Sequence, residues 1–265
     1  MMNGHCNVNL KRTHMNITWQ AEDYRRHFSY VSTYGSALLD LIDLGKTKTV
    51  LDLGCGTGEL TYALSKLALN VTGLDSSEEQ LKLARTRYPQ LSFILGQALD
   101  LPFKHQFDLV LSNAVLHWID KQDHPQLLRS IRRALTPHGG FIFECGGRGN
   151  NAKIHAALAK SFAEFGYRYD MPFYFPSQAE YCALLEQEGF CIDSAICFER
   201  PTKLAAESSI QGFIRMFMQK PLQTLQPQHV SGILERTEQL LMPSLYHHQE
   251  WIADYVRLRI KAHLS

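Results

Sequence analysis

Between residues 36 and 145 the chain alternates short apolar runs with segments whose apolar residues recur at helical spacing. The apolar runs predict buried strands at 49–53, 71–74, 91–95, 107–112 and 140–145. The helical spacing predicts helices at 36–44, 59–68, 76–87 and 126–135, the last stopped by Pro137. This order predicts an α/β fold with a Rossmann-like parallel sheet and helices on both faces. Ligands of such sheets bind at the carboxyl ends of the strands.

The second half of the chain has a different pattern. A helix is predicted at 176–189 and a strand at 190–198. Residues 205–245 have a helical pattern, with breaks expected at three prolines: Pro221, Pro227 and Pro243. Apolar and basic residues then alternate from Val256 to Ala262, which predicts a strand over 251–262 rather than a terminal helix.

A strand that returns after a helical excursion indicates an inserted cap. We therefore predict one sheet domain formed by residues 16–204 and 248–265, with a helical cap insertion at 205–247. Residues 1–15 are polar and lack the apolar core of a secretory signal, so they predict a flexible leader.

Charge and cysteine content exclude several classes of protein. The chain has 265 residues, with 27 Lys and Arg against 26 Asp and Glu. Because these charges nearly cancel, the protein as a whole has no strong positive potential that would attract a nucleic acid partner. Its apolar runs are far shorter than a membrane span. The six cysteines include no C-x-x-C pair and no zinc-finger spacing, which predicts a reduced, cytoplasmic protein without a metal site.

The strongest local signal is a glycine-rich turn between the first predicted strand and the helix that follows. Its sequence, at 50–59, is V-L-D-L-G-C-G-T-G-E. Glycines at alternate positions let the backbone turn sharply and approach a ligand closely. The alternative is a tight turn that binds nothing.

The charges around this turn favour a cationic ligand. No Lys or Arg lies between Lys48 and Lys66, and Asp52 and Glu59 flank the glycines. The missing G-K-[ST] lysine excludes a P-loop, and the G-x-G-x-G spacing differs from the G-x-G-x-x-G of dinucleotide sites. S-adenosylmethionine (SAM) carries a sulfonium and an ammonium but no phosphate, so it suits an acidic turn.

Asp75 ends the second predicted strand, close to the offset at which a carboxylate meets an adenosine ribose. A carboxylate can accept hydrogen bonds from both ribose hydroxyls. The alternative role is capping of the next helix, which Ser76 or Ser77 could also provide.

Six segments carry a resemblance to a known family: V-L-D-L-G-C-G-T-G (50–58), G-L-D-S-S (73–77), G-Q-A-L-D-L-P-F (96–103), F-D-L-V-L-S-N-A-V-L-H-W-I (107–119), W-x-x-x-x-Y (19–24) and L-x-P-H-G-G-F (135–141). With them the chain resembles the class I SAM-dependent methyltransferases, and within these the trans-aconitate methyltransferase-like group of small-molecule enzymes. The resemblance implies a seven-stranded sheet whose last strand is antiparallel, SAM as cofactor and a small-molecule acceptor.

The resemblance also implies roles for single residues. The glycine turn would bind the methionyl ammonium and carboxylate through backbone groups of Gly54, Cys55, Gly56 and Gly58. Asp52 would steady the turn and the ammonium. The remaining cofactor-binding residues would hold the nucleoside and the methyl-transfer end: Asp75, Ser76, Gln97, Ala98 and Asn113. Gln97 stands where relatives usually have Asp, although its carbonyl oxygen can still accept a hydrogen bond.

Candidates for the acceptor pocket are mostly aromatic or polar: Trp19, Tyr24, His27, Phe28, Tyr30, Asn113, His117, Trp118, Glu144 and Arg148. Residues 21–34 predict an amphipathic lid helix. We expect catalytic roles for His117, Asn113 and Tyr24. His117 is either a base or a residue that begins a helix, and Arg148 either clamps an acidic substrate or is a solvated loop charge.

Three functions remain open at this stage. The first is a SAM-dependent methyltransferase that acts on a small molecule, such as a carboxylic acid, which needs no base. The second is a nicotinamide oxidoreductase, which the glycine spacing disfavours. The third is a SAM-binding regulatory protein that catalyses no reaction.

Overall fold

A computed structural model describes residues 37–67, 69–205 and 209–265, and its strands form one mixed sheet. The strands are β1 (Thr49–Leu53), β2 (Asn70–Asp75), β3 (Ser92–Leu95), β4 (Phe107–Asn113), β5 (Leu135–Gly146), β6 (Phe190–Lys203), β7 (Tyr246–His247) and β8 (Glu250–Leu264). Seven strands follow the order β3-β2-β1-β4-β5-β8-β6, and the two-residue β7 pairs with β8.

The first five strands are parallel and are connected through helices. The α-helices in chain order are α1 (Glu59–Ser65), α2 (Glu78–Arg87), α3 (His124–Ala134), α4 (Ala152–Glu164), α5 (Gln178–Gln187), α6 (Ile210–Phe217), α7 (Gln219–Leu222) and α8 (Pro227–Leu245). The chain runs outward from β1 to β3 and then crosses to β4 on the other side of β1. The carboxyl ends of β1 and β4 therefore form the switch point of the sheet.

Strand β8 lies between β5 and β6 and is antiparallel to both. The predicted methyltransferase-type sheet with an antiparallel last strand is thus confirmed. The alternating residues of 251–262 form a strand, as predicted, because one face of β8 packs on the apolar core.

Two predicted helices, the first and the fourth, end earlier in the structure than expected. Of the helix predicted over 36–44, residues 37–39 are helical and the residues after them form turns. The predicted helix therefore extends too far toward its C-terminal end. Helix α3 ends at Ala134, before Pro137, because Leu135 already pairs with Phe107 of β4. Tertiary strand pairing therefore ends this helix, and Pro137 lies inside β5.

Prolines in the second half break fewer helices than predicted. Pro227 begins α8 at a position where its missing N–H is tolerated. Pro221 lies within the short α7, and Pro243 lies inside α8 without ending it. The predicted break at Pro243 is wrong, because the helix continues for two more residues to Leu245.

Two large apolar clusters organise the described residues. One packs α3 and α5 against the sheet, with the fully buried Tyr181 of α5 against Phe143 of β5. The other joins α4, α6 and α8 to the first residues of β8, where Trp251, Ala253 and Tyr255 share one face. This second cluster places the helices that follow β6 beside the carboxyl edge of the sheet.

Several predictions lie outside the described residues. They concern the leader at 1–15, the lid helix at 21–34, and the candidates Trp19, Tyr24, His27, Phe28 and Tyr30. Of the described helices, none combines the length and apolar character that crossing a membrane requires. The same part of the chain holds no group of three or more acidic, histidine or cysteine residues placed to bind a metal ion.

Candidate active site

The glycine turn connects β1 to α1 with three left-handed residues. Gly54, Gly56 and Gly58 have φ angles of +75°, +55° and +87°. A Cβ on Gly54 would lie 2.2 Å from a methyl group of Val115, and one on Gly58 would lie 2.8 Å from the ring of Phe93. Glycine is required here both by backbone conformation and by close packing.

The turn's own N–H groups are largely committed to internal hydrogen bonds. Those of Gly54 and Cys55 both donate to the carbonyl of Leu74, at 2.7 and 3.1 Å, and that of Gly58 donates to the carbonyl of Cys55. The N–H of Gly56 donates to Asp75 at 2.9 Å. These four N–H groups thus already have partners in this structure, and their binding of the methionyl carboxylate stays a prediction. The carbonyl oxygens of the turn suit an ammonium.

An open cleft lies over the turn and the carboxyl ends of β1, β2 and β4. Five carboxylates line it: Asp52, Glu59, Asp75, Asp120 and Asp123. No Lys, Arg or His among the described residues lines this cleft. Glu59 is paired with Arg87. The other four carboxylates still give the cleft a field that favours a cationic ligand and disfavours a phosphate.

Asp52 is the most deeply buried carboxylate of the cleft and is 1% exposed. It accepts a 2.6 Å hydrogen bond from the hydroxyl of Thr61. Burial, with smaller contributions from the charges of Asp75 and Glu59, raises its pKa to about 7. A ligand cation would restore the charge of this carboxylate.

Asp75 holds two parts of the site together. Its two carboxylate oxygens accept from the N–H groups of Gly56 and Ser77, at 2.9 and 2.8 Å. Ser77 itself caps α2 by accepting from the N–H of Gln80. Burial raises the pKa of Asp75, while the hydrogen bonds to its oxygens oppose this. The backbone N–H of Ser76 also donates to this carboxylate. A carboxylate has about four acceptor positions, so room remains for a further donor such as a ribose hydroxyl.

The structure brings nine of the ten predicted cofactor-binding residues to this cleft: Asp52, Gly54, Cys55, Gly56, Asp75, Ser76, Gln97, Ala98 and Asn113. Gly58 does not line it and instead packs against Phe93 and Tyr88. Its role in this structure is to turn the backbone into α1.

Sequence reasoning missed Gln80, whose side-chain oxygen is buried in the cleft without a hydrogen-bond partner. In the sequence Gln80 is a polar residue in the first turn of a helix, which is typical of a solvated position. It also missed Asp120 and Asp123, since no local pattern shows that the segment after β4 folds back over the cleft.

A second, smaller cavity adjoins the cleft, and Ala114 and Trp118 line both. Its walls are mainly aromatic, with a few polar groups: His117, Asn150, Asn151, Phe173, Phe175, Phe213, Phe217, Met218, Tyr255 and Arg257. Most of these residues come from the second apolar cluster and from the segment between α4 and α5.

His117 lies in this second cavity and not in the cleft. Its Nδ1 accepts from the backbone N–H of Gly146 at 3.3 Å. Burial, together with the charge of Arg257, holds its pKa well below the usual range, so the ring is neutral. Since Nδ1 accepts, Nε2 carries the proton and can only donate. This tautomer favours a hydrogen-bond donor over a base.

Other acceptor-pocket candidates lie elsewhere. Glu144 is buried in a salt bridge with arginines and lines neither cavity. The side chain of Arg148 is exposed, as expected of a solvated loop charge, and only its backbone N–H is bound, to Pro176. Asn113 lines the cleft, as predicted.

The sheet order, the glycine turn and the acidic cleft at the switch point define the SAM-binding methyltransferase class. A family model described as "Methyltransferase domain" matches residues 50–139. An uncharacterized methyltransferase of Schizosaccharomyces pombe is 31% identical over 257 residues, which cover 92% of this chain and 97% of the relative. The chain belongs to the class I SAM-dependent methyltransferases.

Two further comparisons are informative. The trans-aconitate 2-methyltransferase of Variovorax paradoxus is 36% identical over 126 residues, which cover 46% of this chain and about half (48%) of the relative. The structure of an S-adenosylmethionine-dependent methyltransferase from Mesorhizobium loti matches with a TM-score of 0.52 at 18% identity, over 86% of this chain and 96% of the other. This second likeness shows the fold.

The residues of the cleft fit SAM, the cofactor of this family. The lining is acidic, as a sulfonium and an ammonium require. The side-chain oxygen of Gln80 is buried without a hydrogen-bond partner, so it is available to accept from a donor group of the ligand. The turn is also too close-packed for any side chain at Gly54. The chain is therefore a SAM-dependent methyltransferase.

Proposed function

We propose that this enzyme transfers a methyl group from SAM to a carboxylate oxygen of a small molecule. The tautomer of His117 carries the proposal, because a pocket whose histidine can only donate suits an acceptor that has no proton to lose. The partial likeness to a trans-aconitate 2-methyltransferase supports the same acceptor chemistry.

SAM, when bound, supplies an electrophilic methyl group on a positively charged sulfur. Asp75 binds the ribose hydroxyls, and Ser76, Gln97 and Ala98 hold the adenine. Asp52 and the carbonyl oxygens of the turn bind the ammonium. Asn113 lines the methyl-transfer end, and the Nε2–H of His117 orients the acceptor through a hydrogen bond.

The protein's share of catalysis is alignment and exclusion of water. Aromatic residues shield the second cavity, and Trp118 lies between this cavity and the cleft. Holding two reactants in line can supply about 7 to 11 kcal/mol of the barrier, and a dry site strengthens the electrostatic interactions within it.

The surrounding segments have proposed roles as well. We assign residues 205–247 to a helical cap over the acceptor pocket, inserted into a sheet domain that contains residues 37–204 and 248–265. We further propose a cytoplasmic enzyme whose partners are small molecules and not nucleic acid.

A product assay tests the acceptor class. The enzyme is incubated with methyl-labelled SAM and matched panels of carboxylic acids, phenols and amines. We expect label in the acids, released as methanol by mild alkali because methyl esters hydrolyse there. Label that resists alkali would mean an ether or amine product and would contradict the proposal. Asp75→Asn serves as a control, in which cofactor affinity and labelling should fall together.

A further inference from the structure

Three arginines surround one glutamate on a single face of the sheet. Glu144 of β5 lies opposite Arg259 of β8 and accepts from its Nε and Nη2 at 3.0 and 2.7 Å. It also accepts from Nη1 and Nη2 of Arg200, at 2.5 and 3.0 Å. Two guanidinium groups thus already occupy this carboxylate.

Arg257, the third arginine, has no such partner. Its Nε is 3.9 Å from the nearer oxygen of Glu144, which is beyond hydrogen-bonding distance. That Nε is buried without a hydrogen-bond partner, and the side chain is 5% exposed. The guanidinium stacks 4.5 Å above the ring of Tyr255. Because Arg200 and Arg259 already bind Glu144, the charge of Arg257 is only weakly compensated, and a buried cation is costly unless an anion joins it.

The position of Arg257 shows where that anion would lie. Arg257 lines the second cavity together with His117, while neither lines the cofactor cleft. Ala114 and Trp118 line both the cavity and the cleft, so the two are direct neighbours. A group bound to Arg257 would therefore lie in the second cavity, next to the cleft in which the methyl donor binds.

We propose that Arg257 is a specificity-determining residue that binds a second, non-reacting anionic group of the acceptor. This proposal rests on the proposed function, because the other end of the same molecule must reach the cleft with its reacting carboxylate. The planar guanidinium suits bidentate binding of a carboxylate. The aromatic walls suit a flat, apolar connection between the two ends of the acceptor.

Matched pairs of acids test this role. Each dicarboxylate is compared with the monocarboxylate in which a methyl group replaces one carboxylate, for example trans,trans-muconate with sorbate. In the wild-type enzyme we expect kcat/KM to favour the dicarboxylate at least 100-fold, mainly through KM. In Arg257→Gln the preference should shrink to a few-fold. In Arg257→Lys it should be intermediate, since lysine keeps the positive charge but lacks the paired N–H donors of the guanidinium.

Calorimetry provides a reading that does not depend on turnover. Muconate is titrated into protein saturated with S-adenosylhomocysteine, and we expect Arg257→Gln to weaken its binding at least 30-fold. Cofactor affinity should be unchanged, which also verifies that the variant folds. Arg168→Gln, which removes an exposed charge paired with Asp170, is the matched control and should behave as wild type.

The outcomes separate the two proposals. If acids are methylated or bound equally well by the wild type and Arg257→Gln, the role of Arg257 is wrong while the proposed function stands. If the product assay shows no methyl ester although S-adenosylhomocysteine binds, the proposed function fails, and the role of Arg257 fails with it.

Discussion

At the scale of single residues, Asp52 links cofactor binding to pH. Its pKa of about 7 in the free protein lies above its ordinary value, so the protein is most stable with this group protonated and loses that contribution as pH rises through 7. A bound ammonium favours the carboxylate and lowers this pKa. Cofactor binding must then release a proton below pH 7.

We therefore predict that S-adenosylhomocysteine binds up to tenfold more weakly at pH 6 than at pH 8, with proton release at pH 6. Titration calorimetry in two buffers of different ionisation enthalpy measures that release. In Asp52→Asn, which keeps an acceptor for Thr61, both effects should vanish. If this variant released as many protons on binding as the wild type, a group other than Asp52 would cause the pH dependence.

At Gly54 the effect of close packing on stability can be separated from the effect of the left-handed backbone conformation. Gly54→Ala adds a left-handed penalty of about 1 kcal/mol and a clash with Val115, so cofactor binding and stability should both fall. Gly166→Ala is the control, because Gly166 has φ +80° but nothing within 4 Å of the new Cβ. Urea unfolding should show the larger loss for Gly54→Ala and partial rescue by Val115→Ala. Equal losses in the two alanine variants would contradict the packing argument.

At the scale of elements, α5 starts at a capping box. The Ser177 hydroxyl accepts from the N–H of Glu180, and the Glu180 carboxylate accepts from the N–H of Ser177. We expect Ser177→Ala to lower the free energy of unfolding by about 1 kcal/mol, measured by urea denaturation, without changing cofactor affinity. A loss of cofactor affinity in this variant would show that α5 supports the cleft directly.

Elements were predictable where local chemistry decides them. The parallel strands, the glycine turn and the alternation in β8 follow from short-range periodicity, so the sheet and most of the cofactor cleft could be predicted. Long-range packing decided the rest. The end of α3 depends on strand pairing by Leu135, and the cavity around Arg257 depends on β8 meeting the segment between α4 and α5. No short-range pattern distinguishes Arg257 from the other basic residues that alternate with apolar ones in β8.

At the scale of the whole molecule, buried histidines set the response to acid. Burial lowers the pKa of His124 and His155 to about 4 each, and that of His117 falls well below its usual range. These three contribute stability that is present above pH 6.5 and lost as pH falls toward the folded-state values. Burial also raises the pKa of Asp52, Asp75 and Asp254, which acts in the opposite direction, but only the shift of Asp52 brings a carboxyl pKa to about 7.

We predict that the urea midpoint falls between pH 7.5 and pH 5.5. Each histidine contributes a slope of about 1 kcal/mol per pH unit below its unfolded pKa. His155→Gln should therefore show a shallower fall than wild type. A midpoint that is constant or rises across this range would contradict the assignment of neutral, buried histidines.

We propose that the acidic cleft at the switch point binds the cofactor and that Asp75 binds its ribose. A crystal structure of the protein with S-adenosylhomocysteine would show both contacts. We expect the nucleoside to lie between the Gly54–Gly58 turn and Gln97, with both ribose hydroxyls donating to Asp75. A nucleoside bound elsewhere, or a ribose out of reach of Asp75, would contradict it.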